Sequence, residues 1–407
     1  GRREVERVGA RISAGVALWR ATFEIEEPQL WSPENPQRYA ITLELSQEGG
    51  VFDRVSEDLA LRTIEVVGEE LLLNGEPIYL KGICKHEDHP SLGATQSPEL
   101  IDSDLRLIQD LGANYLRLAH YPHCVEELDA AESRGLTMSE EIPLYQAGIG
   151  FTAWVQEREK LRLFPARLFG LRQTRRPELL AQARRQLIEM IERDRNRGAI
   201  LFWGLGNECY TPGRRGAAPF TELAKVAHRF DPTRPVTYVE VTYDRKPLDA
   251  PRRGWQGVDI LSLNSYYGWY YGTTEELERQ LALVRKRWKG RPLILSEFGA
   301  GAAPGRKREH GAWKGERVSG GKTYSEAYQA ELLADYWETA RRHPWIVGVS
   351  PWVFADFYNI WFPNNPVPNY NLKGVVSKER TPKAGYYKLR ELYTGVPEPR
   401  DTGSGEE

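Results

Sequence analysis

Two rhythms of apolar and polar positions run along the chain. In residues 1–68 the apolar residues fall in short segments that alternate or are rich in β-formers: Val16 to Ile25, Tyr39 to Leu45, and one or two more strands within Val51 to Val67. A loop-like stretch from Pro28 to Pro36 separates the first two, and the whole predicts a small immunoglobulin-like β-sandwich. Leu71 to Pro77 predicts a hairpin with Asn74-Gly75 at its turn. From Ile78 the rhythm changes to strand, loop and amphipathic helix, repeated. Strands are predicted at Ile78–Cys84, Asn114–Ala119, Leu136–Ile142, Ile200–Gly206, Val236–Val241, Ile260–Asn264, Leu293–Ser296 and Ile346–Phe354. Helices are predicted at Ser97–Leu111, Cys124–Arg134, Glu178–Arg195, Phe220–Phe230, Thr274–Trp288 and Ser325–Arg342. This alternation fits an α/β fold, one (β/α)8 TIM barrel over residues 69–397. A doubly wound open sheet is the competing architecture, but no Gly-rich phosphate-binding turn opens the repeat. Two long loops, Leu144–Pro177 and Gly299–Thr323, suit lids over a barrel mouth. Residues 398–407 predict a flexible tail.

The apolar runs matter most where they stop. Ile200 to Gly206 is uninterrupted and ends in Asn207-Glu208; Pro292 to Ser296 ends in Glu297. In a parallel barrel, side chains at the carboxyl ends of strands collect in one mouth. Two carboxylates facing each other across a sugar are the minimum for glycoside hydrolysis, one protonated to donate and one ionised. Strand-end carboxylates that merely cap loops or pair with arginines are the structural alternative.

Composition narrows the classes of partner. The 55 basic and 57 acidic residues leave a formal charge of −2, which argues against a dedicated nucleic-acid or membrane-surface binder. The 12 Trp and 20 Tyr supply flat faces with polar handles, as sugar rings require and as large cores also use. Cys84, Cys124 and Cys209 are too scattered for a disulfide framework or a zinc site. No apolar run has the ~20 residues of a membrane span. GRREVERVGA shows no signal peptide, and the chain opens without Met, so the compartment stays open between cytoplasm and periplasm. A homo-oligomer is compatible with this sequence, which carries no signal either way.

Several motifs in order resemble glycoside hydrolase family 2, the family of β-galactosidases, β-glucuronidases and β-mannosidases. They are LWSPENP from Leu30, LNGEPIYLKGICKHEDHP from Leu73, LRLAHYP from Leu116, SEEIP from Ser139, WGLGNE from Trp203, SEFGA from Ser296 and WVFADF from Trp352. The resemblance implies Glu208 as acid/base, Glu297 as nucleophile, and retention at the anomeric carbon. Arg117 then suits a place against Glu297, keeping it ionised, with an ion pair to Glu140 or Glu141 as the structural alternative. Asn207 can bond a sugar 2-hydroxyl, and Tyr266 can donate to the nucleophile. By resemblance His86 and His120 line the sugar pocket. His86/His89 and His120/His123 are spaced like metal ligands, but no Glu-x-His follows the third strand, as it does in members that use magnesium. No catalytic metal and no cofactor are expected.

Two stretches point to the sugar. NSYYGWY from Asn264 is similar to the corresponding stretch of β-glucuronidases, and Asn371-Leu372-Lys373 matches the Asn-x-Lys that those enzymes set against the uronate carboxylate. Trp352 and Tyr270 match pocket residues of the family. The chain departs from the pattern at Val367, where an Arg is often found, and at Trp352-Val353-Phe354, where the family has Trp-Asn-Phe. The family's amino-terminal jelly-roll domain is absent from this sequence. The reading is a retaining exo-β-glycosidase for β-glucuronides, against a neutral-sugar β-galactosidase and a barrel that binds glycans without cleaving them.

Overall fold

The computed structural model describes residues 25–47, 50–147, 176–209, 211, 213–241, 254–307 and 324–395. The expected strand Val16–Ile25 up to residue 24, most of both long loops and the tail 398–407 lie outside them.

Small antiparallel sheets come first, consistent with an immunoglobulin-like module. β1 (Tyr39–Gln47) and β2 (Gly50–Leu59) form a two-stranded ribbon. β3 (Ile64–Val67), β4 (Glu70–Leu73) and β5 (Glu76–Pro77) form a three-stranded sheet. Asn74 and Gly75, at φ 55° and 84°, make the two-residue turn between β4 and β5; positive φ at both positions matches the twist of the flanking strands. Trp31 is fully buried and its indole N–H donates to the Glu132 carbonyl at 3.2 Å, tying the sequence before β1 to the barrel.

The barrel is closed and has eight parallel strands, as the alternating pattern predicts. In chain order these are β6 (Leu80–Lys85), β7 (Tyr115–Leu118), β8 (Thr137–Glu141), β9 (Ile200–Asn207), β10 (Val236–Val241), β11 (Ile260–Asn264), β12 (Leu293–Glu297) and β13 (Ile346–Val349). Each pairs with its sequence neighbour, and β13 closes on β6 through Gly348↔Leu80 and Val349↔Lys81. The strands are buried on both faces, which is why their sequences read as apolar runs and not as alternations. The helices outside are α1 (Pro98–Asp110), α2 (Val125–Ser133), α3 (Pro177–Asp194), α4 (Gly213–Phe230), α5 (Glu275–Arg287), α6 (Glu326–Arg341) and α7 (Ala384–Thr394). Ser97 and Ser325 cap α1 and α6 by accepting the backbone N–H three residues on, which fixes where those helices start.

Two boundaries differ from expectation by more than two residues, and one helix is additional. The last strand stops at Val349 and not at Phe354, because the backbone there bonds to other elements: Trp352 N–H to Phe298, Val353 to Lys373 and Phe354 to Cys84. Helix α4 begins at Gly213, well before Phe220; Pro219, which suggests a helix start, lies inside it. Helix α7 was not expected. Its buried Tyr386, Leu389 and Tyr393 recur at helical spacing, but Gly385 and the adjoining tyrosines obscure the pattern.

A buried ion cluster joins β6 to its first two helices. Lys85 is fully buried, with its ammonium 2.8 Å from Glu127 on α2 and 3.5 Å from Asp104 on α1. Arg380 adds a second cation, 2.9 Å from Asp104. Burial works against ionising Glu127, but Lys85 and His123 outweigh it and lower its pKa from 4.5 to about 2. Glu127 therefore contributes stability above pH 4.5, and that contribution is lost as the pH falls towards 2. Replacing Lys85 by Ala leaves both carboxylates without their shared cation, so denaturant unfolding at neutral pH is expected to show a loss of about 3–5 kcal/mol. Adding Glu127→Gln to that variant should recover part of it; an unchanged midpoint for Lys85→Ala would contradict this account.

Candidate active site

Local backbone geometry delivers two carboxylates to the mouth. At the end of β9, Gly206 takes φ 141°, and a Cβ there would lie 2.9 Å from the Leu144 carbonyl, so the close approach of that segment needs glycine. Glu208 follows at φ 52°, a left-handed conformation that non-glycine residues adopt only when their surroundings enforce it. Its N–H donates to the Val239 carbonyl at 2.9 Å, and the next residue's N–H donates to the Tyr238 hydroxyl at 2.8 Å. Glu297 is the last residue of β12 and pairs in register with Asn264 on β11. Both carboxylates are buried.

Arg117 on β7 links four strands. Its guanidinium donates to Glu297 Oε1 at 2.6 Å, to both Glu141 oxygens at 3.0 Å, and to Asn207 Oδ1 at 2.9 Å. The alternatives expected for it, the site carboxylate and the neighbouring pair, are thus both present through Glu141. Glu140 faces the other side of β8 and meets Arg193 at 3.1 Å, as successive strand residues must. Burial opposes the charge on Arg117, but Glu141 and Glu297 hold its pKa well above the usual value. Burial likewise opposes ionisation of Glu141, and Arg117 and His120 reverse it to a net lowering. Tyr266 donates its hydroxyl to Glu297 Oε2 at 2.8 Å.

Glu208 sits in a different field. Burial and then the negative charge of Glu297 raise its pKa, against donors from Asn264 (2.8 Å to Oε1) and Gln146 (2.8 Å to Oε2). Asn207 uses its Oδ1 on Arg117 and on Asn264 at 3.2 Å, while its buried Nδ2 finds no partner among the described residues. A buried amide donor without a partner is costly, so this one is available to a ligand hydroxyl.

Histidines and aromatic rings build one wall. His120 stacks between Trp352 (5.0 Å between centroids) and Tyr145 (4.7 Å), with Nδ1 2.6 Å from Glu141 and Nε2 3.8 Å from Glu297. His86 packs edge-on against Trp352 at 5.1 Å and against His120 at 5.5 Å; burial and the neighbouring cationic groups hold its pKa well below 6.5. His123 lies behind this wall with Glu87 and Glu127, close enough together for a shared ion. Those atoms are already engaged, however: His123 with Glu127 at 2.9 Å, Glu127 with Lys85 at 2.8 Å, and Glu87 with the Cys124 N–H at 2.8 Å. His89 is not part of that group.

Asn371 and Lys373 form the far wall, beside a small cavity that Trp269, Tyr324, Phe362 and Asn365 also line. Asn371 lies on β15 (Tyr370–Asn371), paired with β14 (Phe357–Tyr358), and its Oδ1 accepts the Lys373 backbone N–H at 3.1 Å. The Lys373 ammonium donates to the Tyr270 hydroxyl at 2.5 Å. It stands over four rings, Tyr270 (4.6 Å), Tyr266 (5.4 Å), Phe362 (5.5 Å) and Trp269 (6.0 Å). No carboxylate pairs with it among the described residues, and burial lowers its pKa from 10.5 to about 7 despite Glu297 and Glu208.

All eleven residues singled out from the sequence fall around this mouth. Sequence reasoning named Glu141 only as a possible ion-pair partner of Arg117, and it did not single out Asn264, Tyr145 or Gln146 as site residues. Asn264 and Glu141 carry a readable signal, a polar residue closing a barrel strand. Gln146 and Tyr145 lie past the end of β8, where no periodicity marks them.

Two family models cover the chain. "Glycosyl hydrolases family 2, TIM barrel domain" matches residues 64–397, and "Glycosyl hydrolases family 2" matches residues 2–62. The chain is 31% identical to a beta-glucuronidase of Paenibacillus borealis over 375 residues, 91% of this chain and 58% of that protein. Among solved structures it is similar to the beta-D-glucuronidase of Dictyoglomus thermophilum, with TM-score 0.78, 29% identity, 92% of this chain and 60% of the other. It is also similar to a beta-galacturonidase of Eisenbergiella tayi bound to galacturonate, with TM-score 0.77, 27% identity, 92% of this chain and 61% of the other. The chain thus spans about three fifths of the length of these proteins.

The environment of Lys373 has a direct readout. With lysine side chains labelled with carbon-13, one Cε resonance is expected to titrate near pH 7, ammonium below and amine above. That resonance should vanish in Lys373→Ala, and its titration near 10 would contradict the burial account.

Proposed function

The chain belongs to glycosyl hydrolases family 2, and we propose that it hydrolyses terminal β-uronides, β-glucuronides foremost, by double displacement through Glu208 and Glu297 with retention at the anomeric carbon. The observation that carries the uronide reading is Lys373. Its buried ammonium sits among aromatic rings with no carboxylate partner among the described residues, beside Asn371. A sugar acid would supply the missing anion, whereas a neutral hydroxymethyl group would leave the cation uncompensated.

In the first step Glu297 attacks the anomeric carbon as the bond to the leaving oxygen breaks, and the proton of Glu208 passes to that oxygen. Arg117 and Tyr266 hold the two oxygens of Glu297 in place for attack. The unpaired Asn207 amide suits the sugar 2-hydroxyl, whose contact strengthens as positive charge develops on the ring. Forming the glycosyl-enzyme removes the charge of Glu297, and with it one of the two main causes of the raised Glu208 pKa. Glu208 then becomes the base that takes a proton from water as the water oxygen bonds to the anomeric carbon, and the bond from that carbon to Glu297 breaks to restore the carboxylate. The match to the Eisenbergiella tayi beta-galacturonidase bound to galacturonate supports a second reading, a β-galacturonide, in which Asn371 and Lys373 keep the same role.

Aryl β-glucuronide, β-galacturonide and β-galactoside, compared side by side, test the substrate class. Turnover of one of the uronides should exceed that of the galactoside, and Lys373→Ala should lower kcat/KM on that uronide by roughly 10- to 100-fold, as for a lost charged hydrogen bond. Faster hydrolysis of the galactoside would remove the uronide reading, and binding without any turnover would favour a glycan-binding barrel.

Lys373 also makes binding of a uronate proton-linked. Calorimetry of the free uronic acid in buffers of different ionisation enthalpy should record proton uptake at pH 8, where Lys373 is mostly neutral. Little uptake is expected at pH 5.5, and affinity should weaken as the pH rises above 7. Binding that takes up no proton at pH 8 would exclude Lys373 as the carboxylate partner.

A further inference from the structure

The segment that leaves β8 is tied to the strand that carries Glu208. Asn207 N–H donates to the Leu144 carbonyl at 2.9 Å and Gln146 N–H to the Asn207 carbonyl at 2.8 Å, so Tyr145 bridges to Asn207 as a strand would. Two side chains of this segment then face the chemistry. Gln146 donates to Oε2 of Glu208 at 2.8 Å from a backbone at φ 46°. Tyr145 lays one face of its ring on His120, 24° from parallel, and is 49% exposed, the largest exposure among the described aromatics in contact with the His120 wall. The charges of Glu208 and Glu297 both act on its hydroxyl and, after burial, help to raise its pKa.

On the reading of Glu208 as proton donor, these positions have a consequence for the leaving group. The oxygen that receives the proton is bonded to the aglycone, so the first ring of the aglycone must lie next to Glu208 and outward from it. We propose that Tyr145 and Gln146 form the leaving-group subsite: the solvent-facing side of the Tyr145 ring seats a ring with a flat apolar face, and Gln146 holds Glu208 Oε2 until the leaving oxygen takes its place. The ligand chemistry is that of an aromatic ring or the C–H face of a pyranose. The segment is neither a catalytic group nor part of the uronate wall. It selects among leaving groups after Lys373 has selected the sugar.

The experiment compares substrates that share a uronyl group and differ in what leaves. Tyr145→Ala is measured on the phenyl β-uronide, on a disaccharide with a uronyl non-reducing end, and on the β-uronyl fluoride, which has no aglycone ring. A loss of roughly three- to tenfold in kcat/KM on the phenyl substrate, the disaccharide or both, with the fluoride within about twofold, is the expected result for a lost stacking contact. The arm that loses more identifies the aglycone class. Equal losses on all three would overturn the proposal, since Tyr145 would then act through His120; no loss on either ring-bearing substrate would overturn it as well. Gln146→Ala removes a donor to ionised Glu208, so on the phenyl substrate it should move the alkaline limb of the pH profile upward and leave the fluoride's profile in place. An unmoved limb would dismiss Gln146 from the subsite. If the unaltered chain hydrolyses none of these substrates, the glycosidase reading itself fails. Tyr145 is then decided without turnover, because the affinity advantage of phenyl over methyl uronide should disappear in Tyr145→Ala.

Discussion

One buried guanidinium organises the mouth of this barrel. Arg117 could not sit among apolar strand ends without anions, and it takes one from β12 and one from β8, with an amide oxygen from β9. Each of those groups in turn would be costly without the cation. The arrangement is therefore mutual: removing Arg117 would leave Glu141 and Glu297 as neighbouring buried charges. It also sets orientation. With Arg117 on Oε1 and Tyr266 on Oε2, Glu297 has both oxygens restrained, and with Oδ1 of Asn207 taken the free edge of that amide is its donor. His120 is drawn into the same network through Glu141 at 2.6 Å, which fixes the ring that Trp352 and Tyr145 stack upon.

The two carboxylates at this mouth are chemically alike and differ in their neighbours. Glu297 has a fixed cation at 2.6 Å, whereas the amides of Asn264 and Gln146 donate to Glu208. A nearby cation favours the ionised form far more than an amide does. The asymmetry follows from topology, because β7 neighbours β6 and β8 while its arginine reaches across the barrel to β12, leaving β9 to meet the amides of β11 and of the segment after β8. On the proposed reaction, Glu208, whose pKa burial and the charge of Glu297 raise, is the group placed to donate the proton, and Glu297 is the group held at both oxygens.

Much of this was legible in the sequence where burial and strand ends leave a mark. The apolar runs that end in Asn207-Glu208 and in Glu297 announced barrel strands and their carboxyl-terminal positions, and Asn74-Gly75 announced its turn. The exits of the chain were less legible. The expected strand Ile346–Phe354 reads as one apolar run, but only its first four residues join the barrel, because the backbone beyond Val349 bonds to segments remote in sequence. Tyr145 and Gln146 fall in the long loop expected over the mouth, but nothing marks them individually, since their positions depend on backbone bonds to Asn207 and not on any local pattern. The ion cluster at Lys85 was likewise hidden: Lys85, Asp104 and Glu127 are spread over three elements, and each alone looks like a surface residue.

The far wall solves a problem that any carboxylate reader faces. An ammonium paired with a protein carboxylate is well stabilised, but a ligand carboxylate must then displace that partner or share the cation with it. An ammonium left alone in an apolar wall deprotonates. Around Lys373 there are aromatic faces and one hydroxyl, which attract a cation without offering it a counter-charge. The compromise is visible in its pKa of about 7, far enough down to show the cost of burial and high enough for a bound anion to restore the charge. Such a wall discriminates by what it lacks. On the uronide proposal, a neutral sugar brings no anion to complete this wall, whereas a uronate fills the deficit as well as making contacts.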